Sequence, residues 1–252
     1  MEGRPVWVEV EDAASRTRAE ALAASLGAAG ATEAGAAPPG ALVLTVGPGG
    51  LGLRLGGGPS VTAAVASLGR APRQAPDPLW RAALAGKERV VDATAGLGGD
   101  AFRLASRGAH VILIERSPLL SALLADALER AVGGALGPAA AEAAGRVELV
   151  TGDARDVLRA GALAPERRGV VYLDPMFTGP GGRALPPKGM ALLRELLGAD
   201  ESGAPDLLQA AREAATRRVV VKRHLRAEPL GGVEPSGSLR GRTVRYDVYP
   251  PL

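Results

Sequence analysis

Three kinds of residue are absent or scarce in this 252-residue chain. It contains no cysteine, which excludes disulfide scaffolds, thiolate nucleophiles and zinc sites built on cysteine. Its two histidines, His110 and His224, are too few for a metal cluster, so we expect no metal site. Aromatic residues make up only 3% of the chain, so an aromatic residue that stands beside a motif is informative.

Long apolar segments and a strong net charge are also missing. No window reaches the length of a membrane span, and residues 1–16 lack the apolar core of a signal peptide. The formal net charge of +3 is too small to identify a partner, so any affinity for RNA must come from local patches. We therefore expect a cytoplasmic protein with no membrane partner. No heptad or broad apolar stripe indicates an oligomeric state.

The order of apolar and helical segments predicts two α/β units. Residues 1–72 are expected to form a small N-terminal α/β domain, with a strand near 5–10, a helix near 14–26 and a hairpin from ALVLTV and LGLRL. In residues 73–252, short apolar runs alternate with helical stretches, which is typical of parallel βαβ units. This pattern predicts a doubly wound, mostly parallel, Rossmann-like sheet. It also predicts a loop with a helical turn over 133–145 and two helical stretches within 188–216.

A glycine-rich turn follows the first strand of the larger unit, in VVDATAGLGGDAF (90–102). Gly96, Gly98 and Gly99 lie where the strand turns into a helix, and they let the backbone approach a ligand. A dinucleotide fits such a turn as well. However, the carboxylates of Asp92 and Asp100 would repel a pyrophosphate and suit the cationic groups of S-adenosylmethionine. The turn therefore favours S-adenosylmethionine as the cofactor.

Acidic residues also end the next strands. Glu115 ends the second strand, where it can accept hydrogen bonds from both ribose hydroxyls of a nucleoside cofactor. Asp153 and Ala154 follow the third strand, at the place from which such folds usually hold an adenine ring, and Asp174 ends the fourth. Because the carboxyl ends of parallel strands share one edge, these side chains are expected to converge on one crevice.

The most specific motif is YLDPMF (172–177), at the end of the fourth strand. It resembles the Asp/Asn-Pro-Pro-aromatic motif of methyltransferases that act on exocyclic amines. In that arrangement the side chain of Asp174 and the carbonyl of Pro175 accept hydrogen bonds from the target amine, while Phe177 stacks on the base. The alternative interpretation is a strand end followed by a phenylalanine of the core.

Two basic runs lie near the C-terminus, RRVVVKRHLR (217–226) and RGRTVR (240–245). Lys222 and Arg223 follow an apolar strand and are expected at the same sheet edge as the acidic residues. There they are predicted to contact RNA phosphates, which orients RNA without reading its sequence. A solvated surface charge is the alternative interpretation.

Taken together, VVDATAGLGGDAFRLAS, ERSP, VVYLDPMF, the neighbourhood of Lys188 and Met190, and RRVVVKR resemble the RsmJ family of ribosomal RNA guanine-N2 methyltransferases. The resemblance covers about residues 75–250. It implies a class I methyltransferase fold and methyl transfer to the 2-amino group of a guanine near the 3′ end of 16S rRNA. The implied partner is ribosomal RNA or the small ribosomal subunit, with Lys188 as a further RNA contact.

By this resemblance, the cofactor-binding positions fall on the strand ends already described. They are Gly99, Asp100, Glu115, Arg116, Asp153, Ala154 and Asp174. The sequence departs from the family pattern in having Gly99 in place of an arginine, Asp153 and Ala154 in place of two serines, Thr178 in place of a proline, and His224 in place of a proline. These departures affect substrate contacts more than cofactor contacts.

Three other functions fit part of the pattern. The first is a methyltransferase for another amine, such as adenine in nucleic acid or a glutamine side chain, because the Asp-Pro-x-aromatic motif occurs in those classes. The second is a nicotinamide-dependent oxidoreductase, which explains only the glycine-rich turn. The third is a non-catalytic RNA-binding assembly factor that retains the fold.

Overall fold

The computed structural model describes residues 5–65, 77–83, 89–175 and 203–252. The strands in these ranges are β1 (Val6–Val10), β2 (Ala31–Glu33), β3 (Leu42–Gly47), β4 (Gly50–Leu55), β5 (Val90–Asp92), β6 (Val111–Glu115), β7 (Val147–Thr151), β8 (Val170–Leu173), β9 (Arg218–His224), β10 (Gly237–Arg240) and β11 (Val244–Tyr249). The helices are α1 (Arg16–Ser25), α2 (Pro78–Ala82), α3 (Gly99–Ala105), α4 (Pro118–Val132), α5 (Pro138–Ala144), α6 (Ala154–Arg159) and α7 (Ala204–Ala214). Among these helices, none combines the length and apolar character that a membrane span requires.

The larger sheet has seven strands in the order β10-β11-β9-β8-β5-β6-β7. Strands β5 to β9 are parallel, whereas β11 runs antiparallel to both of its neighbours. The valine-rich strands β5, β8 and β9 are buried on both faces, as parallel strands usually are. Helices α2, α3 and α5 contribute to the core on one face, and α6 and α7 contribute to the core on the other. The predicted doubly wound, mostly parallel α/β sheet is confirmed.

The direction of winding reverses between β5 and β8. From β5 the chain proceeds to β6 and β7 on one side, and the following strands β8 and β9 lie on the other side. In doubly wound sheets, ligands bind outside the carboxyl ends of the strands at such a reversal. Asp92 ends β5 and Asp174 directly follows β8, so both carboxylates lie at this point.

A four-stranded sheet of order β2-β1-β3-β4 forms the N-terminal unit. Strand β1 pairs in parallel with β2 and β3, and the antiparallel β3–β4 pair is the predicted hairpin. Helix α1 packs against this sheet through Ala19 and Ala23. The predicted strand near 5–10 and helix near 14–26 are therefore present, whereas the short parallel strand β2 was not foreseen.

Helix α4 joins the two units. Its residues Leu119, Leu120 and Leu123 belong to the same apolar cluster as the small sheet. On the same helix, the buried carboxylate of Asp126 accepts a hydrogen bond from the backbone N–H of Leu51 at 2.9 Å and pairs with Arg18 at 2.5 Å. The small sheet is thus anchored on a helix of the large unit.

The structure settles two further expectations and leaves one open. Residues 133–145 were expected to be a loop with a helical turn, but Pro138–Ala144 form a helix that buries Ala140, Ala143 and Ala144. Of the two helical stretches expected within 188–216, α7 accounts for 204–214, and residues 188–202 lie outside the described residues. The domain boundary at 72/73 also lies outside them and stays a prediction.

The replacement Asp126→Ala tests the anchor between the two units. It leaves the buried N–H of Leu51 without an acceptor and removes the ion pair with Arg18, so we expect the free energy of unfolding to fall by about 2 kcal/mol. Denaturant unfolding measures this loss. The matched control is Glu129→Ala, because Glu129 is exposed on the same helix. Equal stability of the two variants would contradict the anchor.

Candidate active site

The glycine-rich turn packs tightly between β5 and α3. Gly96 and Gly98 have positive φ angles of 56° and 79°, which favour glycine. A Cβ atom added to Gly98 would lie 2.5 Å from the buried ring of Phe102, so a larger residue would have to displace that ring. Gly99, in contrast, is exposed with open space around its Cα. The backbone of this turn is therefore fixed, and its outer side is open to a ligand.

Glu115 connects the end of β6 to this turn. The carboxylate is only 4% exposed, and it accepts hydrogen bonds from the backbone N–H groups of Gly96 and Ser117, each at 2.8 Å. Burial raises its pKa, although these hydrogen bonds and the nearby Arg116 oppose the effect. Each carboxylate oxygen can accept a second hydrogen bond. Glu115 is thus held in one orientation with acceptor capacity left, and its contact with ribose stays a prediction.

Asp92 is the most buried carboxylate of the crevice, with 2% of the residue exposed. Its Oδ1 accepts a hydrogen bond from the backbone N–H of Thr94 at 3.0 Å. The hydroxyl of Thr94 in turn accepts one from the backbone N–H of Asp174 at 2.7 Å. Thr94 therefore ties the end of β5 to the residue after β8. Burial, reinforced by the negative charges of Asp100 and Asp174, raises the pKa of Asp92 to about 7.

Lys222 bridges two carboxylates at the centre of the crevice. Its Nζ lies 2.7 Å from Oδ2 of Asp100 and 2.8 Å from Oδ2 of Asp174. The strand register produces this contact: β8 and β9 are parallel with Leu173 opposite Val221, so the next residues, Asp174 and Lys222, lie side by side. Asp100 reaches the same ammonium group from the first turn of α3.

The pKa values of Asp100, Asp174 and Lys222 are set by burial, which disfavours charge, and by the attraction between their opposite charges. Burial alone would raise the pKa of Asp100, but Lys222 and the hydroxyl of Tyr172, which donates to Asp100 at 2.6 Å, lower it. Burial raises the pKa of Asp174, against the opposing effect of Lys222. Burial likewise opposes the charge on Lys222, yet Asp174 and Asp100 together raise its pKa. Lys222 is therefore held as a cation, and its charge favours the ionised forms of both neighbouring carboxyl groups.

Asp153 and Ala154 lie where the sequence placed them, after β7. The carboxylate of Asp153 caps α6 by accepting from the backbone N–H of Arg155 at 2.9 Å, and it pairs with the Arg155 side chain at 2.6 Å. These hydrogen bonds, with that of the side chain first, lower the pKa of Asp153. The backbone N–H of Gly152 donates to the carbonyl of Glu115 at 2.9 Å, so the third strand end lies beside the second. The adenine contact itself stays a prediction.

Arg223 does not face the crevice in the way that Lys222 does. Adjacent residues of a strand point to opposite faces, and Arg223 is 4% exposed on the other face. Its guanidinium donates to the backbone carbonyl of Glu228 at 3.1 and 3.2 Å, which holds the loop after β9. A phosphate contact by Arg223 would require this loop to open, and it stays a prediction. A phosphate contact by Lys222 also stays a prediction, because the two carboxylates hold its ammonium group.

The remaining predicted residues divide into two groups. Pro175 is half-buried directly after Asp174, and Arg116 is exposed directly after Glu115. Phe177 and Lys188 lie outside the described residues. Within the described part of the chain, no group of three or more histidine, aspartate and glutamate side chains could hold a metal ion.

Sequence reasoning missed two residues that organise the site. Tyr172 lies two positions before Asp174 on β8, and its hydroxyl is directed at Asp100. Thr94 lies two positions after Asp92, a spacing at which an aspartate often accepts a hydrogen bond from the backbone. Two signals in the sequence could have found them. Side chains two positions apart on a strand point to the same face, and aspartate often accepts a hydrogen bond from the backbone N–H two positions later.

The known proteins that this chain resembles are methyltransferases. The family model described as "Putative SAM-dependent methyltransferase" matches residues 77–251. A protein of Thioalkalivibrio sulfidiphilus named ribosomal RNA small subunit methyltransferase J is 48% identical over 247 residues, which cover 93% of this chain and 93% of that protein. A protein of the same name from Pseudomonas paraeruginosa is 49% identical over 164 residues, which cover 65% of this chain and 60% of that protein.

A solved structure is similar over nearly the whole chain. The crystal structure of a SAM-dependent methyltransferase from Neisseria gonorrhoeae is 30% identical in sequence, with a TM-score of 0.72. The match covers 97% of this chain and 95% of that one. The similarity therefore includes the N-terminal sheet as well as the seven-stranded sheet.

The raised pKa of Asp92 predicts how stability depends on pH. A carboxyl whose pKa is about 7 when folded, and near the ordinary value of 3.8 when unfolded, stabilises the fold fully below about pH 4. This contribution is lost as the pH rises through about 7. Asp92→Asn removes it, so its stability relative to the wild type should improve between pH 5 and pH 8. Denaturant unfolding at each pH measures the difference.

The control for this series is Asp156→Asn, because Asp156 is exposed on α6. Its stability relative to the wild type should stay constant over the same range. A constant difference between the wild type and Asp92→Asn would show that Asp92 is ionised throughout, which would contradict a raised pKa for this carboxyl.

Proposed function

Because the chain belongs to the family of SAM-dependent methyltransferases that includes ribosomal RNA small subunit methyltransferase J, we propose that it methylates the 2-amino group of a guanine in 16S rRNA. The target lies near the 3′ end of that RNA, and the partner is the RNA or the small ribosomal subunit. The observation that carries the proposal is Asp174, followed by Pro175, at the reversal point of the sheet. Such a substrate would place the protein in the cytoplasm.

The crevice suits a cationic nucleoside cofactor. The carboxylates of Asp92, Asp100 and Asp174 lie at one end of it, and the outer side of the glycine-rich turn is open at Gly99. S-adenosylmethionine supplies the methyl group on a positively charged sulfur, which keeps the electron pair of the S–C bond that breaks. Glu115 would accept hydrogen bonds from its ribose hydroxyls.

The other cofactor contacts we propose surround this position. The turn would hold the methionine part, and the loop after β7 would hold the adenine. The residues involved are Asp92, Gly96, Gly98, Gly99, Asp100, Arg116, Asp153, Ala154 and Asp174. Asp153 already accepts hydrogen bonds from Arg155, so an adenine amino group would share its oxygens.

Asp174 and Pro175 would hold the acceptor amine. The lone pair of a guanine 2-amino group is delocalised into the ring, and it becomes a nucleophile when the amine donates to fixed acceptors. The Asp174 carboxylate and the Pro175 carbonyl provide two such acceptors, and holding the nitrogen in line with the methyl group accounts for much of the rate enhancement. Phe177 is proposed to stack on the base. Lys188, Lys222 and Arg223 are proposed RNA contacts.

The proton balance of the reaction also involves Asp174. As the N–C bond forms, the amine loses one proton, which the Asp174 carboxylate accepts and then releases to solvent. Burial raises the pKa of Asp174 and makes it a better base, while the positive charge of the Lys222 ammonium 2.8 Å away lowers that pKa and favours the ionised form. No separate strong base is required.

The test is transfer of labelled methyl from S-adenosylmethionine to naked 16S rRNA and to small subunits, both from cells that lack the gene. Nucleoside mass analysis should find N2-methylguanosine. Asp174→Ala should lower the rate at least about 100-fold, because it removes an acceptor that acts on the transition state. Asp156→Ala, an exposed carboxylate on α6, should retain the wild-type rate.

Other outcomes would identify another function. Detection of methylated adenine, or of methylated glutamine in a ribosomal protein, would show that the target is not guanine. The proposed mechanism would then still apply. Full cellular function of Asp174→Ala would indicate an assembly factor in place of a catalyst. Cofactor binding with no methylation of either RNA substrate would overturn the substrate assignment alone.

A further inference from the structure

The hairpin of β10 and β11 brings a second basic surface to the active-site edge of the sheet. Val244 pairs with His224, the last residue of β9, so the hairpin turn at 241–243 lies beyond the carboxyl end of β9. Arg240 pairs with Arg245 across the hairpin, just before this turn. The turn is therefore at the same edge of the sheet as Asp174.

Three exposed arginines lie around this hairpin, at the active-site edge of the sheet. Arg240 directly precedes the hairpin turn, Arg242 lies in it, and Arg226 lies in the turn that follows β9. We call Arg226, Arg240 and Arg242 the hairpin arginine cluster. Within the described part of the chain, none of their side chains has a carboxylate within 4 Å. Glu228 and Glu234 are exposed in the neighbouring loop and form no ion pair with them.

Arg245 fixes the two basic segments relative to each other. Its Nη1 donates to the backbone carbonyls of His224 and Leu225, each at 3.0 Å. Its Nε donates to Asp247 at 2.9 Å, and Asp247 is fully buried. The hairpin and the turn after β9 are thus fastened together. The cluster is presented by a fixed backbone, which lowers the entropy lost when it binds.

Surface arginines elsewhere in the fold are commonly neutralised. Arg146 pairs with Glu142, Arg167 with Glu148, and Arg16 with Glu33. The net charge of the chain is only +3, so guanidinium groups that lie beside the crevice with no carboxylate partner among the described residues form a local positive field. Guanidinium groups match phosphate oxygens in geometry and charge.

We propose that the hairpin arginine cluster binds the phosphate backbone of RNA beside the target nucleotide. Neighbouring strands are about 4.8 Å apart, so the hairpin lies two to three strands, or roughly 10 to 15 Å, to the side of β8, and its turn lies three residues, or about 10 Å, beyond the end of β8. The cluster would therefore contact phosphates a few nucleotides from the base held at Asp174. This inference rests on the proposed function. It assigns the main phosphate contact to the hairpin in place of Lys222 and Arg223, whose side chains are held within the fold.

The test compares two triple variants by RNA binding. The first carries Arg226→Ala, Arg240→Ala and Arg242→Ala. The control carries Arg89→Ala, Arg146→Ala and Arg167→Ala, which remove the same charge just before β5, β7 and β8, at the opposite edge. The probe is a transcript of the 3′ region of 16S rRNA, and its dissociation constant is measured from 50 to 200 mM salt.

The cluster variant should bind this RNA roughly 10- to 100-fold more weakly, and the slope of log K against log salt should fall by about 2. The control variant should keep the wild-type affinity and slope. Both variants should bind S-adenosylmethionine as the wild type does, which shows that they fold. Equal affinities for the cluster variant and the wild type, equal losses in both variants, or no RNA binding by the wild type would overturn the proposal.

Methyl transfer to the same transcript and to small subunits separates this proposal from the proposed function. If the wild type forms N2-methylguanosine while the cluster variant has an unchanged KM for RNA, the hairpin proposal alone fails. If the wild type forms no N2-methylguanosine on either substrate, the proposed function fails. In that case the binding comparison still decides whether the hairpin contacts RNA.

Discussion

The site depends on one ammonium group placed between two carboxylates. Asp100, Asp174 and the buried Asp92 lie close together at the reversal point of the sheet, and without a cation their mutual repulsion would favour protonation. Lys222 supplies that cation, and the register of β8 and β9 places it beside Asp174. The same arrangement leaves a crevice of negative character, which suits a sulfonium cofactor.

The hydrogen bonds around this cluster fix the three strand ends relative to one another. Thr94 joins the turn after β5 to Asp174, and Glu115 joins that turn to the end of β6. The turn is also held from the N-terminal unit, because the backbone N–H of Ala64 donates to the carbonyl of Leu97 at 2.8 Å. The small sheet, anchored through Asp126, therefore supports the cofactor side of the crevice as well as the core beneath it.

Much of this could be predicted from the sequence, because strands that alternate with helices place their carboxyl ends at one edge. The positions of Asp92, Glu115 and Asp174 follow from that rule alone. The roles of Lys222 and Arg223 could not be predicted, since they depend on strand register and on which face each side chain takes. A basic run shows only that charge is present, and the structure assigns one residue to the crevice and the other to a loop.

The most direct test of the central claim is the pH dependence of single-turnover methyl transfer to 16S rRNA. If Lys222 keeps Asp174 ionised, the rate should rise with pH as Asp174 loses its proton. In Lys222→Met this rise should move by at least about one pH unit to higher pH, because removing a neighbouring cation raises the pKa of a carboxyl. An unchanged profile in Lys222→Met would contradict the claim that this ammonium group controls the acceptor carboxylate.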